Sequence, residues 1–194
     1  GKSLSGGAGD SALDESCADP SHSELSGGAD GPGGNGTTIV TDTNMTRSGI
    51  NKKFLRTLGG EVHCFMAEPD VAAEAKARGV TRATVSMERA SKLTKPLIVA
   101  VGNAPTALIR LHERIREGAL VSLYEIMENT GWRPELIIGM PVGFVNVVPA
   151  KELILRSGVP CIINRGRKGG SNVAAAICNA LLYQIRDGKV PERK

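Results

Sequence analysis

Hydrophobic residues along this chain come in two textures. In PLIVAVG (96–102), ELIIGMPVGFV (135–145) and PCIINRG (160–166) they are contiguous, the pattern of strands buried on both faces. TTIVTDT (37–43) and EVHCFM (61–66) also predict strands. Between them the apolar positions recur at helical spacing. RSGINKKFLRTL (47–58) brings Ile50, Phe54, Leu55 and Leu58 into register, and Gly59-Gly60 stops it. Asp70 caps a predicted helix over VAAEAKARG, which Gly79 ends. TRATVSMERASKL (81–93) predicts a further helix, with Pro96 beyond it. PTALIRLHERIREG opens with Pro105 in its first turn and continues through ALVSLYEIMENTG to Gly131. PAKELILRSG (149–158) and SNVAAAICNALLYQIRDG (171–188) complete the set, the latter with Ser171 as its cap.

This alternation predicts an α/β fold: a doubly wound, mainly parallel sheet in a single domain. Such sheets bind ligands beyond the carboxyl ends of their strands. Three predicted strands run into unusual turns there: GNAP from Gly102, PVGF from Pro141 and GRKGGS from Gly166. All three should fall on one edge of the sheet.

The pattern fails at the amino end. Residues 1–36 hold ten Gly, seven Ser and two Pro, with no apolar period. Too little apolar surface to offset ordering entropy predicts a flexible segment, 1–36, ahead of a folded domain, 37–194. Charge divides at the same place, with a net of −5 over 1–36 and +9 over 37–194. A basic domain suits an acidic ligand. Nucleic acid is disfavoured: two Tyr, three Phe and one Trp offer few stacking platforms, and the basic residues follow no known binding motif. Cys17, Cys64, Cys161 and Cys178 form no CxxC pair, which predicts reduced core thiols in a cytoplasmic protein. No run of about 18 apolar residues predicts a membrane span, and the first residues do not read as a signal peptide.

Familiar catalytic patterns are absent. GxxxxGK(S/T), GxGxxG after a strand, and GxSxG do not occur, and HERIR lacks the second histidine of HExxH. A zinc site is therefore not expected. His63, in an alternating strand, reads as packed; His112, on a charged helix, reads as exposed. Asp42 reads as a structural cap, and Asn103 and Thr106 as caps or partners of local backbone. GRKGGSN (166–172) remains. Its amides from Gly169 to Asn172, the Ser171 hydroxyl and the charges of Arg165, Arg167 and Lys168 suit an anion at a helix start. A tight strand-to-helix turn with solvated basic residues fits those letters equally well.

Five blocks in order carry a resemblance: TDTNMTRSGINKK (41–53), GGEVHCFMAEPDVAAEAKARGVTRA (59–83), GNAPTALIRL (102–111), IGMPVGFV (138–145) and GRKGGSNVAAAICNALL (166–182). They resemble the precorrin-8X methylmutase, or precorrin isomerase, family of cobalamin biosynthesis. The resemblance implies one α/β domain, usually as a homodimer. It implies an isomerase that moves a methyl group from C-11 to C-12 of precorrin-8X or cobalt-precorrin-8, giving the hydrogenobyrinate or cobyrinate skeleton. It implies no cofactor and no methyl donor; any metal arrives inside the substrate. A corrinoid macrocycle fringed with carboxylates calls for several anion sites around an apolar floor.

At matching positions the resemblance implies Arg82 as a carboxylate partner and Thr43 as a hydrogen-bond donor. It implies Asn103 and Thr106 shaping the strand-edge pocket, and Lys168, Gly169, Gly170 and Ser171 forming the anion cradle. The family's proton-donating histidine lies in a segment of the form IHTTAD or VHA. No such segment precedes Thr41, so no catalytic residue is assigned, and His22, His63 and His112 do not inherit the role. Pro149 and Ala150 stand where the family has an acid and a serine, while Lys151 and Glu152 are kept. The alternative function is a corrinoid-binding homologue without catalysis.

Overall fold

A computed structural model of the chain describes residues 36–124 and 132–188. The predicted flexible segment, apart from Gly36, lies outside the described residues, as do Cys17, His22 and the helical continuation beyond Tyr124.

Five strands form one sheet: β1 (Thr38–Thr41), β2 (Glu61–His63), β3 (Leu97–Val101), β4 (Leu136–Gly139) and β5 (Cys161–Ile163). Their order is β2-β1-β3-β4-β5, and every neighbouring pair is parallel. The connections are α1 (Asn44–Gly49) and α2 (Lys52–Thr57) after β1, then a 3-10 turn (Phe65–Ala67), α3 (Pro69–Arg78) and α4 (Arg82–Ala90) after β2. Next come α5 (Pro105–Tyr124), α6 (Val147–Leu155) and α7 (Ser171–Arg186).

Successive strand residues feed opposite faces, which is why the apolar runs are unbroken. Val40, Val99, Val101 and Ile137 pack with Met87, Leu108, Leu111 and Ile154 from α4, α5 and α6. Ile39, Ala100 and Ile138 pack with Leu55, Ala174, Cys178 and Leu182 from α2 and α7. Each Val, Leu, Ile or Met side chain among them, taken out of water, contributes about 1.5–3 kcal/mol.

Three of the differences from the sequence expectation have a cause in local contacts. The helix predicted over 47–58 is two helices, because Asn51 turns its side chain onto the Phe54 amide at 3.1 Å and starts α2 afresh. Its own amide is anchored to Asn179 Oδ1 of α7 at 2.8 Å, fixing the break. Helix α3 begins at Pro69, so Asp70 is a first-turn residue rather than the cap. Its carboxylate accepts from the Val71 amide and pairs with Arg89. The second strand ends at His63, and the chain tightens into the 3-10 turn through Phe65.

Candidate functional site

The strand order reverses between β1 and β3, where doubly wound sheets open a crevice beyond their carboxyl ends. Here the protein fills that point with its own carboxylate. Buried Asp42, just past β1, accepts hydrogen bonds from the amides of Gly102 (2.7 Å), Asn103 (2.8 Å) and Ala104 (2.7 Å). Burial raises the Asp42 pKa, and the three amides oppose it. The GNAP turn therefore spends these amides internally, leaving it a support of the rim. Asp42 is the structural cap expected, acting across strands.

Beside it, two chain segments far apart in sequence meet. Thr43 Oγ1 lies 2.9 Å from Ser171 Oγ and 2.9 Å from Thr46 Oγ1, and it accepts from the Thr46 amide at 3.1 Å. Ser171 is thus not the cap of α7: Gly170 holds that position without a side-chain bond, and the Ser171 hydroxyl bridges to α1. Gly102 permits the approach, since a Cβ there would stand 2.5 Å from Ser171 Cα and 2.8 Å from Thr46 Oγ1. On the other side, Thr81 donates to Thr106 Oγ1 at 3.1 Å, setting the start of α4 beside that of α5. Arg82 is the first residue of α4, exposed, with no ion pair among the described residues. Asn103 is exposed and Thr106 half-buried.

The loop after β5 is built from below. Lys151 of α6 is only 1% exposed. Its Nζ donates to Asn164 Oδ1 (3.0 Å), Gly166 O (2.9 Å) and Lys168 O (2.8 Å). Burial lowers the Lys151 pKa, while the three oxygens favour the ammonium. With these carbonyls held inward, Arg165, Arg167 and Lys168 stand exposed to solvent. The cradle is narrower than its sequence suggested, because the Gly170 amide is committed to Met140 O at 2.8 Å. Gly169 answers to the protein rather than to a ligand: a Cβ there would lie 2.2 Å from Met140 O.

Apolar surface flanks these charges. In the turn after β4, Phe144 is 84% and Val145 76% exposed, and the Arg167 guanidinium lies 5.7 Å from the Phe144 ring centroid. Sequence reasoning missed both this prong and the role of Lys151. A lysine in line with the buried Ala150 and Ile154 of α6 was the available signal for the latter.

His63 closes β2 at the same carboxyl edge, and His112 lies within α5. His63 stacks on Phe65 at 5.7 Å, and its Nε2 faces Glu61 Oε2 at 3.3 Å, back along β2. His112 is half-buried rather than exposed, and burial, followed by the charge of Arg116, lowers its pKa. Cys64 and Cys161 are half-buried and Cys178 buried, all as free thiols. Burial drives the Cys178 pKa up to about 12, so its thiol is inert at neutral pH. Among the described residues no cluster of three His, Cys, Asp or Glu could hold a metal, and no helix is long and apolar enough to cross a membrane.

Fold and rim together define an α/β protein of the doubly wound class, with exposed cations and an apolar prong at the carboxyl edge of one parallel sheet. The precorrin-8X methylmutase family model matches residues 34–121 and 117–184. Cobalt-precorrin-8 methylmutase of Salmonella typhimurium is 43% identical over 150 residues, covering 77% of this chain and 64% of that protein. Precorrin-8X methylmutase of Pseudomonas aeruginosa is 38% identical over 148 residues, covering 75% of this chain and 65% of that protein. The crystal structure of a precorrin-8X methylmutase from Thermus thermophilus superposes with a TM-score of 0.66 at 39% identity, covering 80% of this chain and 70% of that one. The chain belongs to the precorrin-8X methylmutase family. It spans 64% and 65% of the lengths of the two relatives just compared by sequence.

Proposed function

We propose that the chain acts as a methylmutase of cobalamin biosynthesis, moving a methyl group from C-11 to C-12 of precorrin-8X or its cobalt form. The observation that carries this reading is the gathering of the family-matched blocks on one sheet edge, with exposed cations around an apolar prong. Arg165, Arg167 and Lys168 face the carboxylate fringe from the loop after β5, and Arg82 faces it from the start of α4. Phe144 and Val145 cover part of the ring face. Thr43 and Ser171, already hydrogen-bonded to each other, offer hydroxyls between these groups, with Asn103 and Thr106 along the edge. Gly169 and Gly170 hold the loop close to β4.

A methyl shift within one molecule asks little covalent work of the protein. It needs the ring held in a single geometry and a proton placed near the ring C nitrogen. In this reading the residues named above hold the ring, and the acid is not assigned to any described residue. The reading carries with it a homodimer in the cytoplasm, and the free thiols fit a reducing compartment.

The test is to incubate the protein with precorrin-8X and follow absorbance for the corrin chromophore. Chromophore formation supports the reading. Tight binding of product-like corrinoid without turnover supports a binding homologue instead. Lys168→Ala and Arg82→Ala should each weaken corrinoid binding about tenfold or more; unchanged binding in both overturns the assigned pocket.

A further inference from the structure

Among the described residues, one buried side-chain polar atom lacks a hydrogen-bond partner: Nε of Arg47. Arg47 lies in the last turn of α1, the helix that follows β1 and carries Thr46 into contact with Thr43. No described acid forms an ion pair with it. Asp42, close in sequence, has both carboxylate oxygens occupied by the amides of Gly102, Asn103 and Ala104. Arg47 also stands within electrostatic reach of the Cys64 thiol just past β2: burial raises that thiol's pKa, while the Thr41 hydroxyl and the Arg47 charge pull it down. The place of Arg47 on α1, directly after β1, and the reach of its charge to Cys64 put it on the β1–β2 side of the rim. The Lys168 loop leaves β5 and returns over the end of β4, where the Gly170 amide bonds Met140 O, to meet Thr43 through Ser171.

A guanidinium N–H withdrawn from water without an acceptor is a standing cost to the fold. Only Nε is closed off: no described group bonds the outer nitrogens of Arg47, which leaves the planar fork able to take both oxygens of an arriving carboxylate. We infer that Arg47 receives a carboxylate from the edge of the substrate, a different one from that held at the Lys168 loop. The inference rests on the proposed corrinoid reading, and it adds a second point of contact to the ring. Gripped at two points, a flat polyacid cannot rotate freely over the apolar prong, which helps fix the orientation a single-site methyl migration requires.

The experiment titrates the unsubstituted protein, Arg47→Met and Arg47→Lys with cobyrinate, and with the same corrinoid after its side-chain carboxylates are converted to amides. Arg47→Met should weaken cobyrinate about tenfold or more while leaving the ratio for the amidated ligand near one. Arg47→Lys should recover part of the loss. Its melting temperature should hold or rise in the methionine variant, since an unsatisfied polar atom is removed. Equal losses for both ligands would mean a structural role, and no loss for either would mean no role; each overturns the inference. An unsubstituted protein that binds neither corrinoid overturns the functional reading itself, an outcome distinct from a failure of Arg47 alone.

Discussion

Replacing Lys151 with methionine separates the architecture of the loop from its surface charge. The substitution keeps an unbranched side chain in α6 and removes an ammonium that donates to three oxygens, Asn164 Oδ1, Gly166 O and Lys168 O. Hydrogen bonds to a charged group are worth about 1.5–3 kcal/mol each. Burying an ammonium costs several kcal/mol, and that cost disappears with the charge. Gly166 and Lys168 are exposed, so water can reach their released carbonyls. The net expected loss is about 1–3 kcal/mol, or a fall in melting temperature of roughly 2–12 °C for a domain of this size. Cobyrinate affinity should fall about tenfold or more along with it, because the loop that aims Arg165, Arg167 and Lys168 outward is no longer held. Lys168→Ala gives the contrast: affinity falls while the melting temperature moves by no more than about 2 °C, as for other exposed positions. Scanning calorimetry and an absorbance titration on both variants decide the matter. A Lys151→Met protein with unchanged melting temperature and unchanged affinity would refute the claim that the loop is organised from below.

Three further outcomes follow from particular contacts. Gly102→Ala places a Cβ 2.5 Å from Ser171 Cα and 2.9 Å from Ser171 N. It should lower stability by about 1–3 kcal/mol in chemical denaturation, because backbone cannot yield as a side-chain tip can. Glu88 is held below its ordinary value of 4.5 by the hydrogen bond from Arg78, with the charge of Arg110 adding to it. A carboxylate with a depressed folded pKa contributes stability above the unfolded value, and that contribution is lost as pH falls through the folded one. Glu88→Gln should therefore flatten the acid limb of melting temperature against pH below about 4.5, and an unaltered limb contradicts the ion-pair assignment. Phe144→Ala should weaken corrinoid binding at unchanged melting temperature, since its ring is 84% exposed and little of the core depends on it.

Where both faces of a segment are buried, the letters alone defined it: Leu97–Val101 and Leu136–Gly139 are unbroken apolar runs because their alternate residues enter two different cores. The three turns could be placed on one edge because parallel strands share a direction. The break at Asn51 was not legible, because Ile50, Phe54, Leu55 and Leu58 recur on a stripe that one continuous helix also satisfies. Only the local bond from Asn51 to the Phe54 amide decides between the two. The site was harder still. Asp42 satisfies amides 60 to 62 residues away, and Thr43 meets Ser171 across 128 positions. Such pairings depend on how the sheet is ordered, which hydrophobic periodicity does not encode. Resemblance to family blocks supplied the candidate residues, and the packing then showed that Gly169 and Gly170 serve β4 while Lys151 supports the charges beside them.

The proposed function requires that the cationic loop after β5 grip the carboxylate fringe of a corrin ring. Its most direct measurement is an absorbance titration of cobyrinate against the unsubstituted protein and against one carrying Arg165→Ala, Arg167→Ala and Lys168→Ala together. Saturable binding in the first and a loss of about a hundredfold or more in the second, with the melting temperature kept, is the result predicted. Equal affinity in the two proteins, or no saturable binding in either, would contradict the account.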